Sequence, residues 1–255
     1  VGLAALIIIV TSAFFFRLPE EEHKNCCPVP AESPATPFLD PVRPMDVKAI
    51  LKTVSFWLLC MVFMCWGMVT FAILVHIAPF AIEAGFSSTE AANILTIFGG
   101  SVFFAKIITG IAADRLGSKP SYAMGLGMLM IGLILLLTVT TLWALYLIAV
   151  FFAFGYGCGS VIMPNIVAEM FGLRSHGMLL GIVNFSACIG CALGPVAVGW
   201  LFDMKGDYTA AFLATTGLGA LTFIMALFIG TRKRDKLFPA AMIHHPITDS
   251  EHCPR

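Results

Sequence analysis

Charge is scarce in this 255-residue sequence. Lys and Arg number 15, Asp and Glu number 15, and together they are 12% of the chain, against 59% hydrophobic residues and a mean hydropathy of +0.92. Soluble domains run at about 45–50% apolar and about 25% charged, so a membrane protein is expected. The net charge of zero by itself says nothing about a nucleic-acid partner, because the charges are segregated along the chain; no nucleic acid is expected. No HExxH pair, phosphate-binding loop or Ser/His/Asp set is present, which argues against an enzyme. Five of the eight cysteines, Cys60, Cys65, Cys158, Cys188 and Cys191, lie in apolar runs, where a free thiol acts as a small apolar group. Cys26 and Cys27 near His23, and His244 and His245 near His252 and Cys253, lack the spacing of a zinc site. No disulfide, metal or cofactor is expected.

What is present is a series of apolar runs: 56–80, 91–113, 122–140, 142–165, 178–202 and 210–230. Each suits a helix crossing about 30 Å of hydrocarbon at about 1.5 Å per residue. The stretch from Tyr122 to Asn165 is about twice the length one span needs and must fold back, with TVTTLW, Thr138 to Trp143, as the turn. The expected fold is therefore an all-α membrane protein with six transmembrane helices over residues 54–230. Residues 1–16, VGLAALIIIVTSAFFF, have the composition of a span but are short and begin without methionine, and are read as the end of a truncated helix. Residues 17–53 are rich in proline and charge and read as a cytoplasmic linker, and residues 231–255 as a cytoplasmic tail.

Every basic residue except Lys106 and Lys205 falls on one side of such a topology. The positive-inside rule makes that side the cytoplasm, and an even number of spans returns the C-terminus there. Trp57, Trp143, Trp200 and Tyr208 fall near run ends, where amphipathic rings settle at the headgroup level.

The most specific motif is the turn GIAADRLGSK, Gly110 to Lys119. A short cytoplasmic connection between antiparallel spans needs a glycine for positive backbone dihedrals, here Gly117, and an Asp that accepts from exposed amides, here Asp114. Arg115 and Lys119 hold it on the cytoplasmic side. Gly110, Asp114, Arg115, Gly117 and the base at 119 resemble the G-x-x-x-D-R-x-G-R-[KR] loop of the major facilitator superfamily. In the fifth run, GCALGPVAVG resembles that family's G-x-x-x-G-P-x-x-G signature at Gly190, Gly194 and Pro195. The resemblance covers residues 56–230 as the second six-helix half of such a transporter. It implies a central cytoplasmic loop at 17–53, a missing N-terminal six-helix half, and a substrate site near the midplane between halves.

Lys106 stands inside an apolar run, about 12 Å along an ideal helix from Asp114. An intramembrane cation costs about 2.5 to 3.5 kcal/mol on insertion scales, so it faces a cavity, a partner or a substrate unless its stem snorkels to the interface. No acidic residue lies within the six runs to pair with it. A solitary cation in a cavity favours an anion. VHIAPFAIEAGFSSTEAANIL, GGSVFFAKIITGIAADRLG and FGLRSHGMLLGIVNFSACIGCALGP are further similar to monocarboxylate porters and oxalate/formate antiporters. In those families the position of Lys106 is usually an arginine that meets the substrate carboxylate. An Asp one turn earlier in animal monocarboxylate porters is Val102 here, and the antiporter's second cation has no counterpart between Met178 and Phe202. One cation fits a monoanion.

The expected function is thus secondary active transport of a small organic anion, a monocarboxylate, by alternating access, with a coupled proton or an exchanged anion, in a plasma or bacterial inner membrane. The alternative is a sensor or assembly partner of the same fold that moves nothing. Lys106 is the expected substrate contact, with His76, Asn93, Tyr156 and Asn184 as weaker candidates; Asp114, Arg115, Glu169 and Arg174 are the expected cytoplasmic gating cluster.

Overall fold

The structure is a computed structural model, and it describes residues 47–139, 141–173 and 175–229. The expectations for residues 1–16, for most of the linker, for Arg174 and for the tail lie outside the described residues.

A short helix α1 (Val47–Ile50) precedes six long ones: α2 (Val54–Glu83), α3 (Ser88–Leu116), α4 (Ser118–Leu136), α5 (Leu142–Phe171), α6 (His176–Lys205) and α7 (Thr209–Leu227). All six are long and apolar enough to cross a membrane, and among the described residues there is no strand. The runs of hydropathy locate the helices but not their ends. Helices α2, α5 and α6 have 30 residues each and α3 has 29, because polar residues beyond the hydrocarbon continue the helical hydrogen bonding. Helix α4 starts four residues before its apolar run and stops at Leu136, where Pro120 sits in the first turn, the place a helix tolerates its missing N–H.

The ends are set by local chemistry. Helix α3 opens with a capping box: the Ser87 hydroxyl accepts from the Glu90 amide at 3.3 Å, and the Glu90 carboxylate accepts from the Ser87 amide at 2.8 Å. The two reciprocal bonds satisfy donors that the helix start leaves open. Gly117, the sole residue between α3 and α4, has φ +93°, a region costly for any residue with a Cβ. Hydroxyls within the spans are turned inward: Thr70, Thr215, Thr216 and Thr222 each donate to the carbonyl four residues earlier, at 2.7 to 2.8 Å. These four hydroxyls are thereby satisfied within their own helices.

The most extensive packing is of α2 on α6, followed by α5 on α3 and on α4; α7 lies against α2 and α4. The α2–α6 seam is made by glycine. A methyl at Gly67 would stand 2.5 Å from the Ala187 carbonyl oxygen, and methyls at Gly190 and Gly194 would run into the carbonyls of Met64 and Met68. In the same seam Ser186 donates to the Cys60 carbonyl at 2.7 Å. The centre of the bundle is aromatic: Phe63 stacks on Tyr122 (5.3 Å, 27°), and Trp66 stacks on Tyr156 (5.9 Å, 21°). The Trp66 indole donates to the Gly155 carbonyl at 3.2 Å, and its ring occupies the space above Gly159. Gly159 therefore makes room for a tryptophan from another helix, while Gly155 makes room for Leu129 of α4.

Candidate functional site

Helix α3 is the least buried of the six. Its buried positions are Ala91, Ile94, Ala105, Thr109 and Ala113, which seat it against its neighbours. Beside them on the helix circumference Gly99, Phe103, Lys106 and Gly110 recur at spacings of four, three and four, which puts them on one stripe. Gly99, Phe103 and Lys106 are exposed and Gly110 half-exposed, and a methyl on either glycine would meet nothing within 4 Å. Lys106 thus lies on a helix face that the other five long helices leave open. Among the described residues it has no hydrogen-bond or ion-pair partner.

Its position is nonetheless fixed. Helix α5 approaches α3 at Gly157, where an added methyl would come 3.0 Å from the Ala105 Cβ, 3.4 Å from the Lys106 nitrogen and 3.5 Å from its Cγ. Side chains on a helix lean toward its N-terminus. On the positive-inside orientation, the N-terminus of α3 is the outer end. The stem of Lys106 accordingly starts off toward the membrane centre, away from the cytoplasmic surface to which it would have to snorkel.

Tyr156 precedes Gly157 and is half-buried. Its ring is held by Trp66, by Phe71 (6.2 Å, 57°) and by Phe98 (5.7 Å, 58°). The structure therefore brings Tyr156 and Lys106 to neighbouring positions of two packed helices. Asn93, in the second turn of α3, and Asn184, on α6, are both exposed, and no contact joins either to Lys106. His76 is placed elsewhere: its Nε2 lies 3.0 Å from the Pro195 carbonyl oxygen and its Nδ1 3.4 Å from the Tyr208 hydroxyl. Both ring nitrogens are engaged within the chain.

Where α3 ends and α4 begins, Asp114 and Arg115 are exposed and Lys119 half-buried, and at the end of α5 Glu169 is half-buried. Ser118 in the first turn of α4 donates to a Glu169 carboxylate oxygen at 2.6 Å, fastening the end of α5 to the start of α4. Sequence alone missed Ser118, since the two residues are 51 apart. Gly190, Gly194 and Pro195 lie in the α2–α6 seam, where the glycines are buried.

Six helices long and apolar enough to cross a membrane, packed around a glycine seam, define a multi-pass integral membrane protein. The model of the Major Facilitator Superfamily matches residues 77–249, and the chain belongs to that family. It is 30% identical over 143 residues to monocarboxylate transporter 12 of Xenopus laevis, covering 54% of this chain and 31% of that protein. Against monocarboxylate transporter 12 of Mus musculus it is 29% identical over 181 residues, covering 69% and 37%. Against monocarboxylate transporter 2 of Mesocricetus auratus the figures are 26% over 195 residues, 71% and 40%. The chain spans about a third of the length of these curated relatives. Among solved structures it is similar in fold to the Major Facilitator Superfamily transporter FucP in its outward conformation, with a TM-score of 0.64 at 18% identity over 90% of this chain and 53% of that one.

Proposed function

We propose that the chain forms one six-helix half of a secondary active transporter that moves a small organic anion, a monocarboxylate, by alternating access. The observation that carries this is Lys106: a cation inside a membrane span, on a helix face open to a partner, with no partner among the described residues. Its insertion cost of about 2.5 to 3.5 kcal/mol is offset when the face borders a cavity and a carboxylate neutralises the ammonium.

The second wall of that cavity is a further six-helix half, the N-terminal one, which packs over the exposed stripe of α3. The family membership and the names of the relatives support transport; the single cation supports a monoanion over a dianion. Lysine in place of arginine keeps the charge but gives up the planar fork, so the carboxylate is held by one ammonium and by neutral donors such as the Tyr156 hydroxyl. Asp114, Arg115, Glu169 and Arg174 act at the cytoplasmic end as contacts that break and reform as the halves rock. The coupled species is a proton or an exchanged anion, and the C-terminus is cytoplasmic.

The test is uptake of radiolabelled lactate, pyruvate, formate and oxalate into proteoliposomes holding the full-length protein, with Lys106→Ala and Lys106→Arg alongside. Loss in Lys106→Ala with retention in Lys106→Arg is expected. Uptake with unchanged affinity in Lys106→Ala would remove the carboxylate assignment.

A further inference from the structure

His76 is a polar side chain near the outer end of α2, and what it touches joins three parts of the chain. Its Nε2 is 3.0 Å from the carbonyl oxygen of Pro195 in the middle of α6. A carbonyl only accepts, so the ring proton of neutral His76 belongs on Nε2. That leaves Nδ1 as an acceptor, 3.4 Å from the hydroxyl of Tyr208 in the connection between α6 and α7. Gly199, one turn beyond Pro195, leaves room for the ring: a methyl there would stand 3.7 Å from the imidazole.

Tyr208 is itself clamped. Its ring stacks on Phe202 (4.4 Å, 29°) and on Phe212 (5.3 Å, 23°), and Phe80 meets it edge-on at 5.8 Å. The hydroxyl therefore reaches the imidazole from a fixed ring. The charged groups at this end are Glu83 at the end of α2, Asp203 and Lys205 at the end of α6, Asp207 beside Tyr208, and Glu90 in the capping box of α3; α7 carries none. Glu83 and Asp203 are close enough to act on the Tyr208 phenol.

We infer that His76, the Pro195 carbonyl and the Tyr208 hydroxyl form a proton-binding site at the outer end of the bundle, and that the bound proton tightens the hold of α2 on α6 and on the α6–α7 connection. In the neutral state the Tyr208 contact is long and depends on the hydroxyl pointing at Nδ1. When a proton adds to Nδ1, the imidazolium donates from both nitrogens. The bond to Pro195 becomes charge-assisted, a class roughly twice as strong as its neutral counterpart, and the hydroxyl turns to accept. Proline at 195 gives no bond to the Cys191 carbonyl, so α6 already lacks one ladder bond in the turn before the carbonyl that His76 reaches. The inference stands on the chain's own contacts and not on the identity of any substrate.

Nitrogen-15 spectra of histidine-labelled protein in nanodiscs, recorded on either side of the roughly 6.5 of an ordinary imidazole, read both ring nitrogens; the His76 signals are those that disappear in His76→Gln. At the alkaline setting Nε2 should be protonated and Nδ1 bare. At the acidic setting both should be protonated, and amide exchange at residues 206–208, corrected for the intrinsic effect of pH, should slow by about threefold or more, the size of the gain when a hydrogen bond becomes charge-assisted. Tyr208→Phe keeps the ring in its aromatic stack and should abolish the acid-dependent slowing while leaving the alkaline tautomer in place. A proton found on Nδ1 at the alkaline setting, unchanged protonation across the range, or undiminished slowing in Tyr208→Phe would each overturn the inference.

Discussion

Gly190 of α6 meets the carbonyl of Met64 on α2 so closely that no side chain, however small, fits between them. One turn on, Gly194 repeats the contact at Met68, and from the other side Gly67 answers at Ala187. In hydrocarbon, where apolar side chains gain nothing by leaving lipid, backbone approach of this kind supplies packing that larger residues cannot.

Gly190→Ala should therefore lower stability in detergent by about 1 to 3 kcal/mol, the usual cost of overpacking, because the obstacle is backbone and cannot rotate away. Gly99→Ala is the control: it meets nothing and removes a poor helix former, so it should be neutral or stabilising by up to about 1 kcal/mol. Thermal unfolding of the two variants in the same detergent checks both. Equal melting temperatures would contradict the seam.

Gly117→Ala places a Cβ at φ +93°. The expected loss is about 1 to 2 kcal/mol, seen as a lower melting temperature, with no matching loss in Gly110→Ala, whose added methyl meets nothing within 4 Å.

Ser118→Ala removes the 2.6 Å bond to Glu169. A hydrogen bond to a carboxylate is worth about 1.5 to 3 kcal/mol when well buried, and Glu169 is half-buried, so the lower part of that range is expected. Faster amide exchange should be confined to the first turn of α4 and the last turn of α5. Exchange that rises throughout the bundle instead would make the bond part of the core and not a local tie.

Lys106→Ala should weaken carboxylate binding by about 10- to 100-fold, the loss of one charge-assisted bond, while Lys106→Arg should retain it. Isothermal titration with a monocarboxylate and with its uncharged amide separates charge from shape. A deficit that appears equally for the amide would show that Lys106 shapes the cavity without pairing with the anion.

Burial, and after it the negative charges of Glu83 and Asp203, raise the pKa of the Tyr208 phenol above its ordinary value. The folded state thus holds the phenolic proton more tightly than the unfolded state does. This contribution to stability is full below the unfolded value of about 10 and is lost as pH rises through the higher folded value. Alkaline unfolding followed by circular dichroism should start at a higher pH in Tyr208→Phe, which has no phenol to ionise.

The six spans, the tight turn at Gly117 and the depth of Lys106 follow from composition, run length and spacing, because the cost of burying charge and bare backbone in hydrocarbon acts on each segment by itself. The capping box at Ser87 and Glu90 was equally present as a local pattern, a serine followed three residues later by a glutamate. Which face of each helix is buried was not legible. Lipid and protein interior are both apolar, so a span is greasy around its whole circumference and carries little of the polar stripe that orients a helix in water. Only the tertiary structure could decide that Gly159 receives Trp66, that Lys106 looks out from the bundle, that His76 is held by Pro195 and Tyr208, and that Ser118 finds Glu169. Each of these joins residues far apart in the chain, and the geometry that joins them comes from how closely the glycines let the helices approach.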